Sequence, residues 1–133
     1  MTQPKTVLFI CKHNAGRSQL GAHLLTHIGD ERLVATSAGI TPAATINPAV
    51  ASTLHELGID TSAATPRAVT VDDLNAADVV VLMKPGLPLP GAVHGELVEW
   101  SFPDPSNWEA DGVRELRDAI DAKVRGLAAR LVS

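Results

Sequence analysis

An unbroken apolar, β-branched run, Thr6-Val7-Leu8-Phe9-Ile10, opens the chain. It lacks the alternation of a half-exposed strand, so it predicts a strand buried on both faces, the habit of a parallel sheet. A polar loop from Lys12 to Gly16 follows. Leu20, Leu24, Leu25 and Ile28 then share one stripe of a helix over about residues 17–28. Residues 33–38 suit a second strand, closed by Gly39. Asn47-Pro48 reads as a helix start, with an N-cap followed by Pro at the first helical position. Val50, Leu54 and Leu57 carry this helix until Gly58 stops it. Residues 72–77 predict a short helix and 79–82 a third buried strand; the prolines and glycines of 85–91 impose an irregular loop. A weaker fourth strand at 95–100 ends in Trp100. The longest helix, about 110–131, carries Val113, Leu116, Ile120, Val124, Leu127 and Leu131 three or four residues apart.

Strands alternating with helices predict an α/β fold: one domain over 1–133, an open four-stranded parallel sheet with helices on both faces. No internal repeat or linker interrupts it. Sheets of this kind bind ligands at the carboxyl ends of their strands, at the point where strand order reverses. The first strand ends at Ile10-Cys11, and Cys11 is the only cysteine.

Composition narrows the function. A chain of 133 residues buries roughly 68% of its unfolded surface and needs no staples. With 45% apolar and 20% charged residues it reads as a soluble globular protein. Aromatics make up only 3% and Tyr is missing, so small aliphatic side chains must fill the core. The net charge of −4 argues against nucleic acid, whose binding needs a basic patch. A lone cysteine excludes an internal disulfide and a Cys-rich zinc site. No apolar run approaches the ~18 residues of a membrane span, and the N-terminal run is too short for a signal peptide. A cytoplasmic location is the default expectation.

The segment Cys11-Lys12-His13-Asn14-Ala15-Gly16-Arg17-Ser18 carries the chemistry. It places a thiol on a strand-to-helix turn, with a guanidinium six residues later. A helix N-terminus presents unpaired amides and the positive end of the helix dipole. A tetrahedral oxyanion there meets a ring of donors from Lys12 to Ser18, and Arg17 adds a planar, two-pronged grip. The same field favours the Cys11 thiolate, to which Ser18 can donate its hydroxyl. Asn14 tolerates left-handed backbone angles and can brace the loop, while Gly16 permits close approach of the chain to a ligand. The ending Gly-Lys-Ser/Thr of a nucleotide-binding loop is missing. His23 and His27 lie four apart on the first helix without a third metal ligand nearby, so no metal is expected.

Cys-x5-Arg-Ser at the end of the first strand resembles the low-molecular-weight protein tyrosine phosphatase family and the arsenate reductases that share its fold. The resemblance extends over essentially the whole chain. It takes in Thr36-Ser37-Ala38-Gly39, Asn47-Pro48 and Trp100-Ser101-Phe102-Pro103-Asp104-Pro105. It implies that the late Asp-Pro supplies a general acid, Asp104, beside the catalytic Cys11 and Arg17.

Departures from the family pattern choose a branch. Ser106 and Asn107 stand where the phosphatases carry aromatic residues, and Gly16 replaces their second cysteine. Thioredoxin-coupled arsenate reductases use two further cysteines; this chain has Met83 and the Pro-rich 85–91 stretch in those places. Ala22 stands where some relatives keep an acidic residue that helps hold potassium. The single cysteine thus resembles the arsenate–mycothiol transferases. The resemblance implies arsenate as substrate, no bound cofactor, mycothiol as thiol co-substrate and mycoredoxin as the finishing reductant, with glutathione as the fallback thiol. Two other readings remain open: a phosphatase acting on phosphotyrosine or a small phosphoester, and a non-catalytic oxyanion or redox sensor built on Cys11.

Overall fold

A computed structural model describes residues 3–133. Its elements follow the predicted order: β1 Lys5–Cys11, α1 Arg17–Ile28, β2 Leu33–Gly39, α2 Pro48–His55, α3 Val71–Ala76, β3 Val79–Leu82, β4 Glu96–Glu99 and α4 Ala110–Val132. The four strands form one parallel sheet in the order β2-β1-β3-β4. Strand order reverses between β1 and β3, so the crevice at their carboxyl ends is the natural ligand position. Cys11 ends β1 there, opposite Gly39 of β2.

The unalternating run of β1 is explained by its two covered faces. Val7, Phe9 and Cys11 pack with Leu20, Leu24, Val50, Leu54 and the α4 stripe. Leu8 and Ile10 point the other way, onto Leu74, Val80 and Leu82. The helices are divided unequally. α1, α2 and α4 cover the first face, and only the six-residue α3, helped by Leu87, Leu89 and Val93 of the following loop, covers the second. The Pro-rich segment after β3 is therefore part of the core's roof.

Local signals explain the ends of elements. The Asn47 side chain accepts from the amides of Ala49 and Val50, capping α2. Thr70 and Asp73 form a reciprocal capping box at α3. One detail of the predicted α2 stripe differs. The helix unwinds after His55, Gly58 takes a left-handed φ of 78°, and the Ile59 amide closes back on the Leu54 carbonyl. That turn points Leu57 outward, 39% exposed, and takes it off the buried face.

Trp100 packs against Phe9 and Phe102 at centroid distances of 6.2 and 6.1 Å, which anchors the chain leaving β4. No helix among the described residues is long and apolar enough to cross a membrane.

The contact of α1 with β1 gives a stability prediction. A Cβ at Gly21 would fall 2.5 Å from Phe9 Cδ1, in a fully buried ring. Overpacking of this kind costs about 1–3 kcal/mol, more than the gain of up to about 1 kcal/mol in helix propensity. Gly21→Ala is expected to lower Tm by roughly 3–8 °C in thermal denaturation. An unchanged Tm would mean that the helix and strand are not in register at this point.

Candidate active site

The loop from Cys11 to Gly16 is built by tying its carbonyls away from its centre. The Cys11, Lys12 and His13 carbonyls accept from the amides of Ile40, Thr41 and Ala43 at 3.1, 2.7 and 3.0 Å. The Asn14 carbonyl accepts from Gln19 Nε2 at 2.9 Å, the Ala15 carbonyl from the Asn47 amide and the Gly16 carbonyl from the Leu20 amide. All six are thereby satisfied. Among the described residues, no hydrogen bond is donated by the amides of residues 12–16. Gly16 serves as the N-cap of α1 without any side-chain cap. A buried helix end left in this way is a set of donors awaiting an anion.

Two residues permit this curvature. Asn14 is the only non-glycine with positive φ among the described residues, at 51°. Gly39 lets the end of β2 press on the loop, since a Cβ there would lie 2.8 Å from the Asn14 amide nitrogen. Gly16 lines the Cys11 pocket and has a second neighbour. The neighbour it admits is Pro105, whose Cγ lies 3.1 Å from where a Cβ would stand. Gly16 therefore lets the Asp104–Pro105 turn close onto the loop.

The sulfur has a defined polar environment. Cys11 is buried, with its Sγ 3.0 Å from Ser18 Oγ and 3.4 Å from the Ser18 amide nitrogen. Asn14 Oδ1 accepts from the Arg67 amide, so its Nδ2 faces Ser18 and donates to Ser18 Oγ at 2.7 Å. The serine's own proton is thus left to point at the sulfur. Ser18, expected among the oxyanion donors, directs both its hydroxyl and its amide to Cys11. Gln19, to which no sequence motif assigns a role, is held by His23 Nε2 at 3.2 Å while it bonds the loop.

Arg17 is 4% exposed, and its NH1 donates to the Phe102 carbonyl at 2.9 Å. That bond fixes the plane of the guanidinium and leaves its other donors for a ligand. Asp104 lines the same narrow pocket as Cys11, His13, Gly16 and Arg17. Burial works against charge on its carboxyl, but the hydroxyl and amide of Ser106 both donate to it, and Arg17 and His13 add attraction. The balance holds its pKa below the usual value. His13 reaches Asp104 Oδ2 only at 4.0 Å, and its Nδ1 bonds the Thr41 carbonyl. Lys12 does not line this pocket; with Lys84 it lines an adjoining groove.

The structure therefore brings Cys11, His13, Ala15, Gly16, Arg17 and Asp104 to one pocket, with Asn14 and Ser18 behind it. The sequence marks Ser106 only as a departure from the phosphatase pattern and gives the Phe102 carbonyl no role, although an Asp followed two residues later by Ser is a signal for such a turn. Among the described residues, no group of His, Cys, Asp and Glu could hold a metal ion.

The arrangement has known counterparts. The profile of the family described as low molecular weight phosphotyrosine protein phosphatase matches residues 6–87. A putative arsenate reductase of Halobacterium salinarum is 32% identical over 121 residues, covering 87% of this chain and 85% of that protein. The glutaredoxin arsenate reductase of Synechocystis is 30% identical, with 96% and 98% covered. Among solved structures, the thioredoxin-dependent arsenate reductase of Corynebacterium glutamicum superposes with a TM-score of 0.83 at 33% identity. That match covers 99% of this chain, which spans 65% of the longer chain's length. From the loop, the sheet order and this sequence similarity together, the chain belongs to the low molecular weight phosphotyrosine protein phosphatase family.

Proposed function

We propose that residues 1–133 form one arsenate reductase domain that passes arsenic to an external low-molecular-weight thiol. One observation carries the reading: a single cysteine, with two donors on its sulfur, lies at the base of a loop whose amides turn inward. The likeness to arsenate reductases of this fold supports the choice of substrate.

In this mechanism the amides of residues 12–17 and the free edge of Arg17 grip the arsenate oxygens. The Cys11 thiolate forms an S–As bond as one As–O bond breaks, and that oxygen leaves as water with a proton from Asp104. Asp104 must be protonated for this step. The negative charge of the bound oxyanion pushes its pKa upward, opposite to the pull of Ser106 and Arg17. The loop amides hold the charge that moves onto oxygen, the largest electrostatic contribution available.

Reduction needs a second agent. A thiol R–SH displaces Cys11: an RS–As bond forms, the Cys11–As bond breaks, the thiol proton is released and arsenic stays pentavalent. A reductant thiol then attacks the R sulfur, and the S–As electron pair passes to arsenic, giving arsenite and a mixed disulfide. Mycothiol with mycoredoxin, or glutathione with glutaredoxin, can fill these roles. Both pairs belong to a reducing compartment, in keeping with a cytoplasmic location. The family's phosphatase branch offers a second reading, supported by the same oxyanion loop: hydrolysis of a phosphate ester through a Cys11 phosphoenzyme.

Arsenate or phosphate is expected to slow alkylation of Cys11 by iodoacetamide. Arg17→Lys should weaken that protection and lower kcat/KM by at least about tenfold, roughly 1.4 kcal/mol, because an ammonium cannot make the two-pronged contact.

Asp104→Asn should keep the protection yet reduce turnover by about 10²–10⁴-fold, the usual range for a lost general acid. Surviving turnover with lost protection would make Asp104 structural.

Thioredoxin and its reductase alone should yield no arsenite, since this chain cannot form the internal disulfide that thioredoxin attacks. Adding mycothiol and mycoredoxin, or glutathione and glutaredoxin, should start NADPH-linked turnover. Robust arsenite formation with thioredoxin alone would sink the single-cysteine mechanism. Thiol-independent hydrolysis of p-nitrophenyl phosphate would assign the chain to the phosphatase branch.

A further inference from the structure

Beside the Cys11 pocket runs a wider groove of about 500 Å³, within the usual range for small-molecule sites. It shares Arg17 and Asp104 with that pocket and adds Lys12, Lys84, Leu87 and Pro103. Its charge is unusual for this acidic protein. The chain has eleven Lys and Arg. Six arginines, at 32, 67, 114, 117, 125 and 130, each lie within 4.0 Å of a carboxylate. Five cations have no such partner among the described residues: Lys5, Lys12, Arg17, Lys84 and Lys123. Three of the five converge on this groove.

Strand register explains how the two lysines meet. Ile10 of β1 pairs with Leu82 of β3, so Lys12 and Lys84 each stand two residues beyond a paired position, at the carboxyl ends of neighbouring parallel strands. The Met83 amide bonds the Ile10 carbonyl at 2.9 Å and continues that alignment. Both lysines are exposed and line the same groove, so an anion bound there meets positive charge from two neighbouring strand ends. Asp104 is the sole carboxylate on the groove, and Ser106 already occupies one of its oxygens.

We propose that this groove seats the co-substrate thiol and selects an anionic one: Lys12 and Lys84 receive carboxylates of a small peptide thiol, which brings its sulfur to the arsenic on Cys11. The assignment rests on the reading of the chain as a reductase that borrows a thiol. It ranks glutathione, which carries two carboxylates, above mycothiol, a sugar-linked thiol without a charge. Arg17 and Asp104, common to groove and pocket, place the incoming sulfur beside the group that Cys11 must release.

Two measurements test the groove. In the arsenate reductase assay, glutathione is compared with its diethyl ester, which has the same thiol without the carboxylates, at low and high salt. Two carboxylate–lysine contacts near the surface are expected to give glutathione an advantage of about tenfold in kcat/KM at low ionic strength, shrinking as salt is added. Lys84→Glu should cut the glutathione-to-ester ratio at least about fivefold. Separately, S-methylglutathione, which cannot react, should bind the wild-type protein in calorimetry and bind Lys84→Glu more weakly.

Equal use of glutathione and its ester, or an equal loss of both in Lys84→Glu, would overturn the assignment. So would turnover with a dithiol protein but with no small thiol. If no thiol of any kind gives arsenite while S-methylglutathione still binds in a Lys84-dependent way, the groove stands and the reductase reading fails.

Discussion

The site depends on one constraint: six consecutive carbonyls, from Cys11 to Gly16, are all bonded to partners outside the loop's centre. A peptide unit that turns its oxygen outward turns its amide inward, so holding the carbonyls shapes the donor ring without any ligand present. The partners come from the segment between β2 and α2 and from Gln19 and Leu20 on α1. This arrangement is costly to the backbone, because the amides of residues 12–16 forgo partners within the protein. The surrounding core provides the compensation: β1 is buried on both faces from Val7 to Cys11, and α1 is buried over its first six residues.

The environment of Cys11 follows from that loop. Asn14 can turn its amide nitrogen to Ser18 because its oxygen is already committed to the Arg67 backbone. Ser18 in turn has only its own proton left for the sulfur. A chain of single-choice hydrogen bonds thus fixes the direction of the last one, and the bridge between Gly39 and Ala68 holds the Arg67 segment in place.

Much of this was legible in the sequence, and the reason is locality. A continuous apolar run at 6–10, the cap at Asn47-Pro48 and the three-to-four spacing of 113–131 are patterns within one element, and each appears where expected. The Cys-x5-Arg-Ser spacing is local too, so the turn from β1 into α1 could be read directly. What escaped were meetings between distant segments. Gly39 looked like the end of a strand, yet its missing side chain is what lets β2 approach Asn14. Gly16 lines the Cys11 pocket and also leaves room for Pro105, a neighbour that no local pattern reveals. Lys84 carried no motif, and only the register of β1 with β3 sets it beside Lys12. Leu57 matched the helical stripe by spacing but lies beyond the point where the helix unwinds.

The bond from Arg17 to the Phe102 carbonyl ties the guanidinium to the segment that, two residues later, carries Asp104. The Phe102 amide is itself bonded to the Met83 carbonyl at the end of β3. The cation on the helix and the carboxyl on the loop are therefore hung from one short stretch of backbone, braced against the sheet. Any displacement of that stretch moves both groups together. The proposed clamp and the proposed acid form a single mechanical unit, so affinity for the oxyanion and the timing of proton delivery cannot be tuned independently at residues 100–105.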